Sequence, residues 1–407
     1  NTIVSDLALT DLDSDGDLDL YVGNGGYHNL KDESNTLIDQ VYMNNGKGIF
    51  MLSTKKNIAL KEGTSVIAIK ESNSDDNTSI FVGGSIIPGS YPKHYPNKLF
   101  ICNSKGDLTI DEQQSKTLNS IEGIVRDALW TDLNQDGSDD LIIVGEWMPV
   151  TVFLDKNGVL EKQTNYFLDS NTNEGWWNTI RSTDLNNDGK TDFIIGNEGI
   201  NNPFNASSKQ PIQIHYEDFD DNGSVDPIIS YFIQGKAYPL ATRDELLAQL
   251  VELKSVYPSY KSYAETDLEM LLGKIQTNKT KNWKASQLES IVILSSKVGY
   301  LVKQLPDIAQ RSPLTAIHSF DINADGNQDL LLFGNRSKNA LKLGSNDANY
   351  GTVLLGKGDG SFDLISPIET GLNIKGDVSD VIQIGTTLYI ARSNNKLSVY
   401  KLNTHEN

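Results

Sequence analysis

The chain has 407 residues, one cysteine, and 54 acidic against 35 basic side chains, a formal net charge of −19 at pH 7. That balance leaves no basic surplus to displace counterions, so it argues against nucleic acid as a partner and disfavours anionic membrane surfaces, while Cys102 alone excludes a disulfide framework, a cysteine zinc site and a CxxC redox pair. Hydrophobic residues at 38% and aromatics at 8% mark a packed chain rather than a disordered one. No apolar run approaches the ~20 residues that cross a bilayer. A chain opening on Asn1 rather than Met is expected to have had a signal or lipid anchor upstream.

The first element is an apolar approach, Leu7-Ala8-Leu9, which enters an acidic segment at 11–19 (DLDSDGDLD) and leaves it as LYVG. The same template, Asp-x-[Asp/Asn]-x-[Asp/Asn]-Gly-x-x-Asp, returns at 132–140 (DLNQDGSDD), 184–192 (DLNNDGKTD), 218–226 (DFDDNGSVD) and 321–329 (DINADGNQD). The five segments hold 19 acids and one base, Lys190, so the other 362 residues carry a net charge of only −1. Charges this dense repel one another, and the usual compensation is a hard cation. Calcium takes six to eight oxygen ligands, and alternate side chains of a tight loop can converge on it, with glycine at position 6 permitting the turn. Magnesium resists dehydration and rarely uses an all-protein cage.

The expected ligands are therefore Asp11, Asp13, Asp15, Asp17 and Asp19; Asp132, Asn134, Asp136, Ser138 and Asp140; Asp184, Asn186, Asp188, Lys190 and Asp192; Asp218, Asp220, Asn222, Ser224 and Asp226; and Asp321, Asn323, Asp325, Asn327 and Asp329. Position 7 acts through its backbone carbonyl, and about five structural Ca²⁺ are expected. The helix-flanked calcium loop is rejected, because it needs a Glu at position 12. Position 12 here is Val22, Ile143, Ile195, Ile229 or Leu332, and the residues after each loop form a short apolar run typical of a buried strand. Position 2 is always large and apolar (Leu12, Leu133, Leu185, Phe219, Ile322), a plug beneath the loop.

Between the first and second acidic segments lies a degenerate unit, 64–70 (TSVIAIK) and 80–84 joined by SNSDDNTS, whose off-register acids predict no metal. A second degenerate unit, 378–384 and 388–391, ends the chain, for a total of seven. Tails at 41–50, 152–160 and 353–362 read as strand, Asn/Gly turn, strand. Two hairpins per unit make a four-stranded blade, and radial repetition of blades is a β-propeller. The predicted class is all-β: a seven-bladed propeller, with six blades as the alternative, spanning 1–407. A helical hairpin at 236–286 interrupts the fifth unit: Thr242-Arg243-Asp244-Glu245 caps one helix that runs toward Pro258, and Thr266-Asp267-Leu268-Glu269 caps the next. Strands resuming at 288–295 and 300–305 are assigned to that fifth unit, and the fourth is expected to lack an outer hairpin.

The DLDSDGDLD-type loop followed by an apolar strand resembles the FG-GAP (VCBS-type) repeats of integrin α-subunit propellers and of many bacterial surface proteins. The resemblance covers nearly the whole chain outside 236–286 and implies a calcium-bearing propeller. More narrowly, Tyr238–Leu247 (YPLATRDELL) and Tyr260–Ala264 (YKSYA) are similar to the helical insert of bacterial proteins related to the cartilage-acidic-protein group, common in Bacteroidota. That likeness implies a cell-surface or outer-membrane-associated protein, often partnered with Sus-type nutrient importers.

No catalytic constellation stands out. The five histidines (28, 94, 215, 318, 405) form no HExxH pattern, and Gly83-Gly84-Ser85-Ile86-Ile87 fails the GxSxG elbow at its last position. Trp147, Trp176, Trp177 and the Tyr257/Tyr260/Tyr263 series read first as core and helix packing, and second as sugar-stacking or partner anchors. Arg243, Asp244 and Glu245 read first as a helix start. The expected function is a non-enzymatic, calcium-stapled module that binds protein or glycan; the alternative is a polysaccharide-acting lyase or hydrolase on the same scaffold.

Overall fold

Each of the five acidic templates turns the chain between two antiparallel strands, as the apolar runs around it require. The computed structural model describes residues 3–26, 35–53, 62–70, 77–275, 280–340 and 342–402. At every loop the closing aspartate is paired across the ladder with the residue just before position 1: Thr10 with Asp19, Thr131 with Asp140, Thr183 with Asp192, Glu217 with Asp226, and Phe320 with Asp329. The loop is thus a hairpin connection with its first and last acids at the mouth.

The described residues form seven antiparallel sheets, the makeup of an all-β propeller, and each anticipated unit heads one of them. The Asp11 sheet runs Val4–Thr10, Asp19–Asn24, Gln40–Asn44, Phe50–Leu52, and the degenerate unit runs Thr64–Lys70, Thr78–Gly84, Lys98–Cys102, Leu108–Ile110. The expected tails are hairpins: Thr151–Asp155 with Leu160–Gln163 in the Asp132 sheet, and Thr352–Gly356 with Phe362–Leu364 in the Asp321 sheet. The last sheet is Val378–Ile384, Thr387–Arg392, Ser398–Lys401. The connection at 71–76, on which the expectation of a metal-free second unit rests, lies outside the described residues.

Two assignments are corrected. Ile291–Ser296 and Gly299–Gln304 do not belong to the fifth unit: Phe193, Ile194 and Ile195 pair with Ile293, Val292 and Ile291, so these strands complete the Asp184 sheet. The fourth unit therefore has its outer hairpin, and the Asp218 sheet is inserted whole between that sheet's second and third strands. The interval 236–286 is also not purely helical. Its ends are strands of the Asp218 sheet, Lys236–Pro239 against Asp226–Ile233 and Lys281–Ala285 against Ile212–Glu217. Between them lie short helices at Arg243–Gln249, Tyr260–Ala264 and Leu268–Leu272. Thr242 and Glu245 form the expected capping box, but the last helix is capped by Asp267, one residue after Thr266, and the middle one by Ser259.

The chain divides into two compact units, 1–164 with 206–286 and 165–205 with 287–407. Within the second, the alternation of strand side chains explains why the post-loop runs are apolar throughout. Leu330 and Leu332 face the Asp184 sheet beside Leu185, Ile194 and Val292, while Leu331 and Phe333 face the last sheet beside Val381 and Leu388. A strand with a neighbour on both faces has no polar side, and each such burial contributes about 1.5–3 kcal/mol. Within the first unit, Leu12, Tyr21 and Val41 pack on Ile67, Ile80 and Phe100 in the same way.

That interface also holds a buried acid. Asp39 accepts hydrogen bonds from Thr64 Oγ1 at 2.6 Å, Asn24 N at 2.8 Å and Tyr21 Oη at 3.0 Å, pinning the first two sheets together. Burial pushes its carboxyl up to about 6 despite these donors. Between the ordinary carboxyl value and about 6, the folded chain keeps a proton that the unfolded chain has released. The stability from this group is therefore full below the unfolded value and lost as pH rises through the folded one, roughly 3 kcal/mol in all. In denaturant melts, the stability advantage of the parent over Asp39→Asn should shrink by about that amount between pH 4 and pH 7; a gap independent of pH contradicts the assignment.

Candidate metal centres

The nine residues of each loop organise themselves through side chain to backbone bonds. The first aspartate accepts from the N–H groups of positions 5 and 6: Asp11 from Asp15 and Gly16, Asp132 from Asp136 and Gly137, Asp184 from Asp188 and Gly189, Asp218 from Asn222 and Gly223, Asp321 from Asp325 and Gly326, all at 2.8–3.2 Å. The side-chain oxygen of position 5 in turn accepts from the N–H of position 7, that is Asp17, Ser138, Lys190, Ser224 and Asn327, at 2.8–3.0 Å. Position 6 is a left-handed glycine in every loop, with φ between +77° and +91°. Position 4 is left-handed too, although it is never glycine: Ser14, Gln135, Asn187, Asp221 and Ala324 have φ of +55° to +61°. Two left-handed residues within three positions wrap the backbone so that side chains 1, 3 and 5 point inward.

The closing aspartates at position 9 are almost fully buried. One oxygen of each accepts the N–H of the plug residue: Leu12, Leu133, Leu185, Phe219 or Ile322, at 2.7–3.0 Å. In four loops the other oxygen accepts an N–H from the third strand: Asn44 to Asp19, Asp155 to Asp140, Ser295 to Asp192 and Gly356 to Asp329, at 2.6–2.8 Å. The third-strand donors escaped sequence reasoning, because any residue supplies a backbone N–H. Ser295 adds its hydroxyl, donating to Asp188 at 2.9 Å. Lys70, from the degenerate second unit, reaches the edge of the Asp132 loop, donating to Asp139 O at 2.8 Å and Asp155 Oδ2 at 2.7 Å.

Carboxylate oxygens of Asp11, Asp13 and Asp15 lie within 4.8 Å of one another, as do those of Asp218, Asp220 and Asp226. The other three loops carry Asn at position 3, so a carboxamide oxygen replaces one carboxylate; Asn134, Asn186 and Asn323 turn that oxygen to the N–H of position 5 at 2.9–3.0 Å. Burial pushes the carboxyls of Asp19, Asp140, Asp192, Asp226 and Asp329 above their ordinary value, against the pull of their N–H donors. All-oxygen donor sets of this kind suit a hard divalent cation, whose charge would hold these acids ionised. Of the predicted ligands, the structure gathers 1, 3 and 5 in the Asp11 loop and 1, 3 and 9 in the Asp218 loop.

The other singled-out residues pack. Trp147 and Trp177 are fully buried, the former donating its indole N–H to Tyr91 Oη at 2.8 Å and the latter to Asn173 O at 3.2 Å. Trp176 meets Phe204 edge-on. Tyr257 is buried, Tyr263 donates to Ala241 O, and Tyr260 is exposed beneath the Arg243 guanidinium, its hydroxyl bonded to Asp244. His94 and His215 are held below the usual histidine range by burial, and His318 meets Gln383 at 2.8 Å. His28 and His405 lie outside the described residues. No described helix is long and apolar enough to cross a membrane.

Residues 132–195, which hold the Asp132 and Asp184 loops, match the family model of the FG-GAP-like repeat. No curated protein matches the chain. Among solved structures, the chain is similar to the V. cholerae biofilm matrix protein Bap1, at 10% identity and a TM-score of 0.34 over 100% of this chain and 89% of that one. It is also similar to the Dos1 propeller, at 10% identity and a TM-score of 0.41 over 98% of this chain and 79% of that one.

Proposed function

From an FG-GAP-like repeat whose loop template recurs in three further sheets, we propose that this chain is a non-enzymatic, calcium-binding interaction module displayed at the cell surface. The FG-GAP propeller fold suggests an interaction module in itself. The observation that carries the calcium reading is the convergence of three carboxylates within 4.8 Å in a loop segment that holds no basic residue, Asp11–Asp13–Asp15. Sites of the extracellular type bind calcium at about 10⁻⁴–10⁻³ M. The cytosol holds too little calcium to fill them, which supports display outside it. The partner is a protein or a glycan. The resemblance of the Tyr238–Leu247 stretch to an insert of bacterial surface proteins supports a role as accessory subunit of a Sus-type outer-membrane uptake complex.

The alternative is a polysaccharide-acting enzyme. Incubating the calcium-loaded chain with a broad polysaccharide panel separates the two. We expect no unsaturated sugar and no new reducing ends, together with calcium-dependent retention on one immobilised glycan or membrane protein. Turnover of any polysaccharide overturns the non-enzymatic reading.

A further inference from the structure

One of the five loops is built differently. In the Asp11, Asp132, Asp184 and Asp321 loops, the closing aspartate is fastened to the third strand by a backbone N–H. Among the described hydrogen bonds Asp226 has no such strand donor: its Oδ2 accepts from Phe219 N at 2.9 Å, and its second polar neighbour is the carboxamide of Gln249, the last residue of the helix Arg243–Gln249. The Nε2 atom of Gln249 is buried beside the Asp226 carboxylate and has no closed hydrogen bond among the described residues.

The packing agrees. In the Asp11, Asp184 and Asp321 sheets the plug residue packs among strand residues, as Leu12, Leu185 and Ile322 do. Phe219 instead packs into the helical segment, against a cluster of Ile228, Leu246, Leu247, Leu250 and Ile275. Above it, Asp220 and Asp221 share a cleft with Leu250, Glu252, Leu253 and Lys274. The helices thus occupy the place that the third strand holds in the other loops.

We infer that Gln249 is an outer-shell positioning residue for the cation of the Asp218 loop, and that this cation alone among the five sets the order of the helical segment 243–275. The inference rests on the calcium reading above. A cation drawing Asp218, Asp220 and Asp226 together fixes the Asp226 carboxylate, which fixes Gln249 and with it the end of the helix. Without the cation, the Asp226 carboxylate that Gln249 faces is no longer fixed, and apolar contact carries most of the hold of the helices on the loop.

Amide hydrogen exchange of the full chain, followed over 243–275 as calcium chloride is added and paired with a count of bound calcium, tests this. Calcium should slow exchange there in the parent chain. Asp220→Ala should bind one calcium fewer and lose that slowing, whereas Asp136→Ala should bind one fewer and keep it. Gln249→Leu, which preserves the apolar packing, should keep the full complement while needing about 10–100-fold more calcium to slow exchange. If Asp220→Ala loses one calcium and 243–275 still responds like the parent, or if Gln249→Leu is indistinguishable from it, the coupling is wrong and the calcium reading stands. If the parent binds no calcium, the calcium reading itself falls, and the coupling with it.

Discussion

Removing calcium with a chelator should lower the melting temperature of the chain, by on the order of 10 °C, and restoring calcium should recover it while magnesium should not. The magnitude follows from mass action. At ten times its dissociation constant, a ligand that binds only the folded state contributes about 1.4 kcal/mol per site. Five loops together contribute about 7 kcal/mol, against the 5–15 kcal/mol by which domains are ordinarily stable. The cation-free chain must also hold five buried carboxyls that burial disfavours as anions: Asp19, Asp140, Asp192, Asp226 and Asp329. Magnesium should fail because it demands a near-ideal octahedral shell and gives up water reluctantly, whereas these loops offer an all-protein set of oxygens. A melt unchanged by chelation in differential scanning calorimetry contradicts the cation-staple account.

The second large effect separates the scaffold role of the loops from their cation role. Asp140 is fully buried and accepts Leu133 N at 3.0 Å and Asp155 N at 2.7 Å. In Asp140→Ala both N–H groups lose their acceptor inside the protein, at about 1–3 kcal/mol each. We expect a loss of about 2–6 kcal/mol in denaturant melts that persists in chelator, because it does not depend on the cation. Asp136→Asn, at an exposed position of the same loop, should cost stability only while calcium is present. If Asp140→Ala becomes harmless once calcium is removed, the closing aspartates are ligands only and the tie to the third strand is incidental.

These effects show where the sequence was legible. The loops were readable because their chemistry is local: within nine residues the spacing of the acids, the glycine and the apolar plug dictates a turn that the structure reproduces five times. The strands were readable for a similar reason, since a run such as Leu330–Phe333 needs a neighbour on each face. Pairing was not legible. Periodicity marks Ile291–Ser296 as a strand, but nothing local says that it pairs with Asp192–Gly196 across an inserted sheet rather than with its nearer neighbour. The third-strand donors to Asp19, Asp140, Asp192 and Asp329 were hidden because a backbone N–H has no sequence signature. The left-handed fourth position was hidden because Ser14, Gln135, Asn187, Asp221 and Ala324 share no side-chain property. Helix caps at Ser259 and Asp267 displaced the expected boundaries by a residue or an element, the usual outcome where helices are only five residues long.

The central claim is that the charge imbalance marks cation sites rather than a generally acidic surface. It is tested most directly by counting calcium bound to the purified chain, by elemental analysis after equilibration in a calcium buffer of about 1 mM, the upper end of the affinity range for such sites. The account predicts several calcium ions per chain, rising toward one for each of the five loops as calcium is raised, and a fall of one for each loop disabled. A chain that stays folded and binds none would contradict it.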